Sequence, residues 1–482
     1  MQASPLKTLR RMQRRARHTR VFSRQHAGRR VTYWLGGILV GLIAVGFAGV
    51  ADFVDLQRRH LIAAAGGWIM LLLAPSGLAL SIWLTRRYAP GARGSGIPQV
   101  IATLHMTEPG QIDDVLSWRN AVGKVGLTLL GLFCGASIGR EGPTVQVGAT
   151  LMHLLGRRLG VVDGAARRAL ILAGGAAGIS AAFNTPLAGI VFAIEELSHS
   201  FQSRTSGTML TAVILSGLTS LAILGNYTYF GHAGATLPVG TAWIAAPLCA
   251  VAGGIAGGSF SALLVRMSGG IPGRAGRLAA AHPVLFAASC GLLIAALGLA
   301  SGGLTYGTGY AQARHIVDGD AHLPAGFFAL KFAASLISYC SGIPGGIFAP
   351  SLAIGAGIGG WVAHLLPHAA PGMVVLLGMA AYFSAVVQAP LTATVIVMEM
   401  TDNQQVTVAL LATSFLAFGI SRLICRRPLY GALARHFLRS LALARNPGDA
   451  PTLGSGEPPR HDARPAGSQL PPTRPPAAPH TP

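Results

Sequence analysis

An all-α polytopic membrane protein is the fold class this sequence predicts, and three observations carry it. Of 482 residues, 51% are hydrophobic and only 11% charged, against roughly 25% charged in a soluble domain. Mean hydropathy is +0.52. Apolar stretches at 34–51, 63–84, 169–194, 243–264 and 374–398 approach or exceed the ~20 residues that cross a hydrocarbon core of ~30 Å. The chain also holds 64 glycines and 29 prolines, many of them inside apolar runs, so the spans are expected to be interrupted and tightly packed.

In chain order, residues 1–31 form a basic arm expected on the cytoplasmic side. Lys7, Arg10, Arg11, Arg14, Arg15, Arg17, Arg20, Arg24, Arg29 and Arg30 precede the first span, and no acid offsets them. Arginines flanking a first span hold that side in the cytoplasm. A nucleic-acid surface would interleave aromatic rings for stacking, and Phe22 alone interrupts these arginines, so no nucleic-acid partner is expected. The apolar run that follows exceeds a secretory h-region and more spans succeed it, so it reads as a retained helix. Arg422, Arg426, Arg427, Arg435 and Arg439 mark the same side after the last span. Both termini are thus expected in the cytoplasm, with an even number of crossings between them. The membrane body divides into halves at 32–230 and 231–446. The stretch 447–482, with Pro471-Pro472-Thr473-Arg474-Pro475-Pro476, reads as a disordered proline-rich tail. Cys134, Cys249, Cys290, Cys340 and Cys425 are odd in number, lack C-x-x-C spacing and read as buried small hydrophobes.

The two halves echo one another. The first breaks at Gly94-Ser95-Gly96-Ile97-Pro98 and at Gly139-Arg140-Glu141-Gly142-Pro143, then runs glycine-rich to Glu195-Glu196. The second breaks at Gly346-Ile347-Phe348-Ala349-Pro350 and runs glycine-rich to Glu399-Met400-Thr401-Asp402. Ala182-Phe183-Asn184-Thr185-Pro186-Leu187-Ala188 likewise echoes the stretch from Ser384 to Thr392. Paired interrupted segments in matching places of two halves point to a transporter binding site. Gly174-Gly175-Ala176-Ala177-Gly178 and Gly355-Ala356-Gly357-Ile358-Gly359-Gly360 suit close helix approach.

A dehydrated anion needs fixed donors and positive potential without a cation that traps it. Helix N-termini supply both. In the first break the glycines let main chain approach the ion, Ser95 adds a hydroxyl and Pro98 suits the first helical turn. The other two breaks repeat that grammar. Glu141 stands out among them: an ionisable group at membrane depth costs about 2.5–3.5 kcal/mol even on insertion scales and marks an ion or proton path. The plainer alternative is a buried acid paired with Arg140.

These three segments, in this order, resemble the selectivity filter of the CLC family of chloride channels and proton/chloride antiporters. Ala181 to Gly189, Leu391 to Asp402 and Pro428-Leu429-Tyr430 extend the resemblance over roughly 32–440. It implies a CLC fold of two inverted-topology halves with many broken and tilted helices, assembled as a homodimer in a bacterial inner membrane. Chloride is then the transported ligand and no cofactor is required. By the resemblance, Ser95 and Tyr430 offer hydroxyls, and Ile347 and Phe348 main-chain amides, to a central chloride. Glu141 is the gating acid, which when charged takes the outer anion position itself. Glu196 is the internal proton-transfer acid, a role that favours exchange over passive flow. Ser95 favours chloride over nitrate, because nitrate-preferring relatives carry proline there. The lack of appended nucleotide-binding modules points away from ATP control and toward a prokaryotic protein.

Other readings stay open at this stage. A passive proton-gated channel of the same fold is the nearest. A membrane-embedded enzyme would need a nucleophile or metal cluster beside its acids, and a membrane anchor would rest on the basic arm alone. Lys124 either supplies positive potential or snorkels. Glu399 and Asp402 read as anchors of a helix end, and His364 with His368 as an interfacial helix end without a third metal ligand.

Overall fold

Helices begin and end where glycine, proline and left-handed residues fall, and this segmentation shapes the whole molecule. The computed structural model describes residues 5–161, 163–198, 203–225, 230, 241–270, 273–319, 324, 326–366, 369–401 and 403–445, with side chains largely from 31 onward. The proline-rich stretch 447–482, Asp402 and His368 lie outside the described residues. The first half contains α1 (Pro5–Ala65), α2 (Met70–Tyr88), α3 (Ile97–His105), α4 (Pro109–Val115), α5 (Trp118–Phe133), α6 (Glu141–Arg158), α7 (Gly164–Phe183), α8 (Pro186–Phe192) and α9 (Ser203–Leu224). The second contains α10 (Ala245–Ser268), α11 (Gly273–Ala281), α12 (Pro283–Ala300), α13 (Tyr310–Val317), α14 (Phe327–Cys340), α15 (Phe348–Leu365), α16 (Pro371–Val387), α17 (Pro390–Thr401), α18 (Thr407–Ile424) and α19 (Leu429–Arg445). No strand occurs among the described residues. Chain packing makes one unit up to Arg439.

Two of the five apolar stretches fall within single helices, 34–51 in α1 and 243–264 in α10 apart from its first two residues. The other three are corrected by the structure. The stretch 63–84 turns at Gly66, φ 80°; 169–194 is split at Asn184, φ 57°, and 374–398 at Gln388, φ 63°. In the last two a left-handed residue ends one helix and Pro186 or Pro390 opens the next. Hydropathy does not register such breaks, because Asn184 and Gln388 are single polar residues in apolar runs. Among the described residues, six helical stretches are long and apolar enough to cross a membrane: Val31–Ala65, Gly67–Tyr88, Ala245–Ser268, Pro283–Ala300, Phe348–Leu365 and Thr407–Ile424.

The apolar surface is turned outward as lipid requires: Trp68 and Leu72 are each 73% exposed and Leu423 84%. Inside, small residues bring helices to main-chain contact. A Cβ on Gly174 would lie 2.7 Å from the Gly148 carbonyl carbon, joining α7 to α6. A Cβ on Gly355 would lie 2.6 Å from Met379 Cα, joining α15 to α16. Two apolar clusters fill the space around these pairs. Met70, Leu78, Ile82, Leu132, Ile138 and Ile294 hold α2, α5 and α12 together. Tyr33, Val40, Met152, Leu170 and Val213 hold α1, α6, α7 and α9. All five cysteines are free; four are buried and Cys340 is partly so.

The doubling seen in the sequence is a relation between packed residues. Gly139 and Gly346 occupy matching places and pair with each other antiparallel, exchanging N–H···O bonds of 2.7 and 2.8 Å. Equivalent residues that exchange both bonds place a local two-fold axis between them. Farther away, Glu195 accepts from Leu391 N–H at 3.1 Å and Thr392 N–H at 2.6 Å at the start of α17. Its counterpart Glu399 accepts from Leu187 N–H at 3.1 Å and Ala188 N–H at 2.7 Å at the start of α8. Each half thus caps a helix of the other with a carboxylate, a charge that the positive N-terminal end favours.

Candidate anion site

The three broken segments meet. Gly94 pairs in parallel with Pro344, and its carbonyl accepts the Gly345 N–H at 3.1 Å. A Cβ on Gly96 would lie 2.6 Å from the Gly142 carbonyl, and one on Gly346 would lie 3.1 Å from Gly142 N. Only glycine permits this approach at Gly96, whose φ of 108° also disfavours any side chain. Gln99 fixes the first segment by accepting Gly96 N–H at 3.1 Å and donating to Arg93 O at 2.5 Å. From this junction α3, α6, α15 and α19 all start, so their positive ends and free N–H groups gather at one place.

The donors gathered here make no well-formed hydrogen bond among the described residues. Ser95 Oγ and Tyr430 Oη are buried and unpaired, although the two residues are neighbours. The N–H groups of Ile347 and Phe348 meet no carbonyl. Buried donors without partners are rare and call for an explanation; an anion at their focus supplies one. The Phe348 ring is held by four others: Phe383 at 4.7 Å, Phe192 at 5.9 Å, and Phe183 and Tyr430 at 6.0 Å between centroids. This aromatic packing fixes the first turn of α15 and ties the Phe183 and Tyr430 segments to the filter. Pro98, Pro143, Ala349, Pro350, Ile97 and Ile347 are all buried in the same assembly.

Two acids lie near these donors. Glu141 is completely buried at the start of α6. Its Oε1 accepts the Tyr310 hydroxyl at 2.6 Å, and its Oε2 is unpaired beside Gly139 and the Ala349 amide. Arg140 donates from Nη1 to Ala48 O and Asp52 Oδ1, each at 2.7 Å, and also lies within electrostatic reach of Glu141. Glu196 is 2% exposed in a π-helical turn, Ala193–Ser198, and its Oε1 has no partner. Tyr430 lies within electrostatic reach of Glu196 and Glu141 alike. Glu195 next to it points the other way, into the α17 cap, so the two consecutive acids do different work.

Lys124 does not snorkel. It is fully buried and donates to Ala92 O at 2.6 Å and Gly94 O at 2.7 Å, holding the main chain that leads into Ser95. Lys331, unremarked in the sequence, repeats this: it is fully buried and donates to Thr305 O at 2.9 Å and Gly307 O at 2.8 Å. Each lysine precedes a paired glycine, Gly139 or Gly346, by fifteen residues.

That symmetry exposes a fourth loop. Gly307-Thr308-Gly309-Tyr310 is the counterpart of Gly94-Ser95-Gly96-Ile97, with φ of 69° at Gly307 against 68° at Gly94, and 87° at Gly309 against 108° at Gly96. It opens α13 as the first opens α3 and delivers Tyr310 to Glu141. The Gly-x-Gly spacing was the available signal, but no proline follows it. Glu399, expected at a helix end, caps the start of α8 in the other half, and no metal-ligand cluster occurs among the described residues.

A midplane-type site built from broken, inverted helix segments defines an anion-handling membrane protein of the class with internal repeats. Comparison with known proteins gives the family. Residues 77–422 match the family model described as voltage gated chloride channel, and the chain belongs to this CLC family. It is 34% identical over 436 residues to the H(+)/Cl(-) exchange transporter ClcA of Yersinia pestis, covering 85% of this chain and 87% of that one. A slow cyanobacterial Cl-/H+ antiporter structure matches 86% of this chain and 98% of its own, with TM-score 0.74 and 27% identity. A eukaryotic CLC transporter, at TM-score 0.71 and 21% identity over 86% of this chain and 75% of its own, shares the fold.

Proposed function

We propose that this chain is a secondary transporter that exchanges chloride for protons across a bilayer. One observation carries the reading: unpaired donors of Ser95, Tyr430, Ile347 and Phe348 gather where helix N-termini meet, within reach of two buried acids. The central chloride takes its donors from these four residues. Glu141, as a carboxylate, competes with anion for the outer end; protonated, it no longer does and the path opens. Glu196 carries the proton between the cytoplasmic side and Glu141. The names of the similar Yersinia and cyanobacterial proteins, both exchangers of chloride and protons, support exchange over passive flow. The same reading assigns the protein to a bacterial inner membrane with both termini cytoplasmic, as a homodimer. Apolar faces of α9 (Ile214, Leu218) and α18 (Phe415, Leu416), all at least 43% exposed, offer the surface for pairing.

Paired chloride and proton fluxes from purified protein in liposomes test this. Chloride leaving should drive protons in the opposite direction, and Glu196→Gln should abolish the proton flux while chloride still moves. Chloride movement without any proton movement in the unaltered protein would assign the passive channel instead.

A further inference from the structure

The fourth loop places a hydroxyl on the gating acid that its counterpart cannot supply. Tyr310 and Ile97 stand at equivalent first positions of α13 and α3, but only Tyr310 can donate a hydrogen bond. Its loop is anchored and its ring is held on two sides. Lys331 pins the carbonyls of Thr305 and Gly307 just before it, Phe230 packs against it at 5.7 Å, and the Arg140 guanidinium lies over its face at 5.8 Å. A donor fixed this firmly needs no rearrangement to meet Glu141 Oε1 at 2.6 Å.

We infer that Tyr310 is the latch of the gate: its hydroxyl holds unprotonated Glu141 in place and sets the acidity at which the gate lets go. A hydrogen bond to the charged form of an acid favours that form, and bonds to ionised acceptors are about twice as strong as neutral ones. To take a proton on this oxygen or to swing aside, the carboxylate must first give up Tyr310. Among the described residues, the other charged or titratable groups facing Glu141 are Arg140, itself engaged by Asp52 of α1, and Tyr430 of α19. The start of α15 presents main chain only. Tyr310 is thus a positioning residue that acts through Glu141, and its role rests on the reading of Glu141 as gate.

The test is Tyr310→Phe in the full chain in liposomes, with chloride and proton fluxes followed from acidic to neutral pH. The ring, its packing and the Arg140 contact stay; only the hydroxyl goes. The rise of flux with acidity should move about one pH unit toward neutral, a roughly tenfold faster flux at a fixed pH on the flank of the profile. In a Glu141→Gln background, Y310F should change nothing further. An unaltered pH profile, or the same shift in both backgrounds, overturns the latch. Loss of flux in both backgrounds gives the hydroxyl a packing role and overturns it too. A pH-dependent flux in the unaltered protein with no effect of Y310F removes the latch alone, whereas a chloride flux in the unaltered protein that acidity leaves unchanged removes the gate reading and the latch with it.

Discussion

Gly142→Ala adds one methyl group where the three filter segments cross. A Cβ there would lie 2.8 Å from the Ser95 carbonyl oxygen and 3.4 Å from Gly346 Cα, and would crowd Ser95 Oγ. Ordinary carbon contacts settle at about 3.5–4.0 Å, and two of these neighbours are main chain that no rotamer change can move. Overpacking of this kind costs about 1–3 kcal/mol. Relief requires the Ser95 segment to move away from Gly142, which is the displacement that takes its hydroxyl off the anion. If the whole cost falls on the bound state, chloride affinity drops roughly 5- to 150-fold, since 1.4 kcal/mol is tenfold. Calorimetric titration of the purified protein with chloride measures this directly. Gly110→Ala in α4 is the control, because a Cβ there meets nothing within 4 Å, and its affinity should be unchanged. Wild-type chloride affinity and melting temperature in Gly142→Ala would refute the convergence of the segments.

Glu195→Ala should lower thermal stability, because three bonds to the α17 start are lost, including Thr392 Oγ1 at 2.7 Å; caps of this type contribute about 0.5–2 kcal/mol. Since Glu195 points away from the path, proton coupling measured in the same liposome assay should survive, in contrast to Glu196→Gln. Asn184 holds φ 57°, so Asn184→Gly should be tolerated in a melting assay, whereas Asn184→Val should cost about 1–2 kcal/mol. Lys331→Met leaves the carbonyls of Thr305 and Gly307 buried without their donor. It should both lower the melting temperature and move the pH profile of flux in the same direction as Tyr310→Phe, because the loop that carries Tyr310 loses its anchor.

The sequence shows a feature wherever the chemistry is local. Glycine followed four residues later by proline marked the segments at Gly94, Gly139 and Gly346, because a close approach and a helix start each demand those residue types. Glu141 was legible for the same reason: a carboxylate among helix-breaking residues in an apolar chain has few uses. The fourth loop was not, because Ala311 occupies the place where Pro98 stands in the first and nothing local links Gly309 to a site. Lys331 and the reciprocal caps of Glu195 and Glu399 depend on partners that only folding brings near; Glu195 and Thr392 lie 197 residues apart in sequence. Helix lengths failed at 184 and 388 because a single left-handed residue changes direction without changing hydropathy.

Bromide is a close substitute for chloride and scatters anomalously, so crystals grown in bromide locate the anion itself. The account predicts an anomalous peak within hydrogen-bonding distance of Ser95 Oγ, Tyr430 Oη and the Ile347 and Phe348 amides, joined in Glu141→Gln by a second peak where the carboxylate had been. Bromide bound elsewhere, with those four donors left empty, would contradict it.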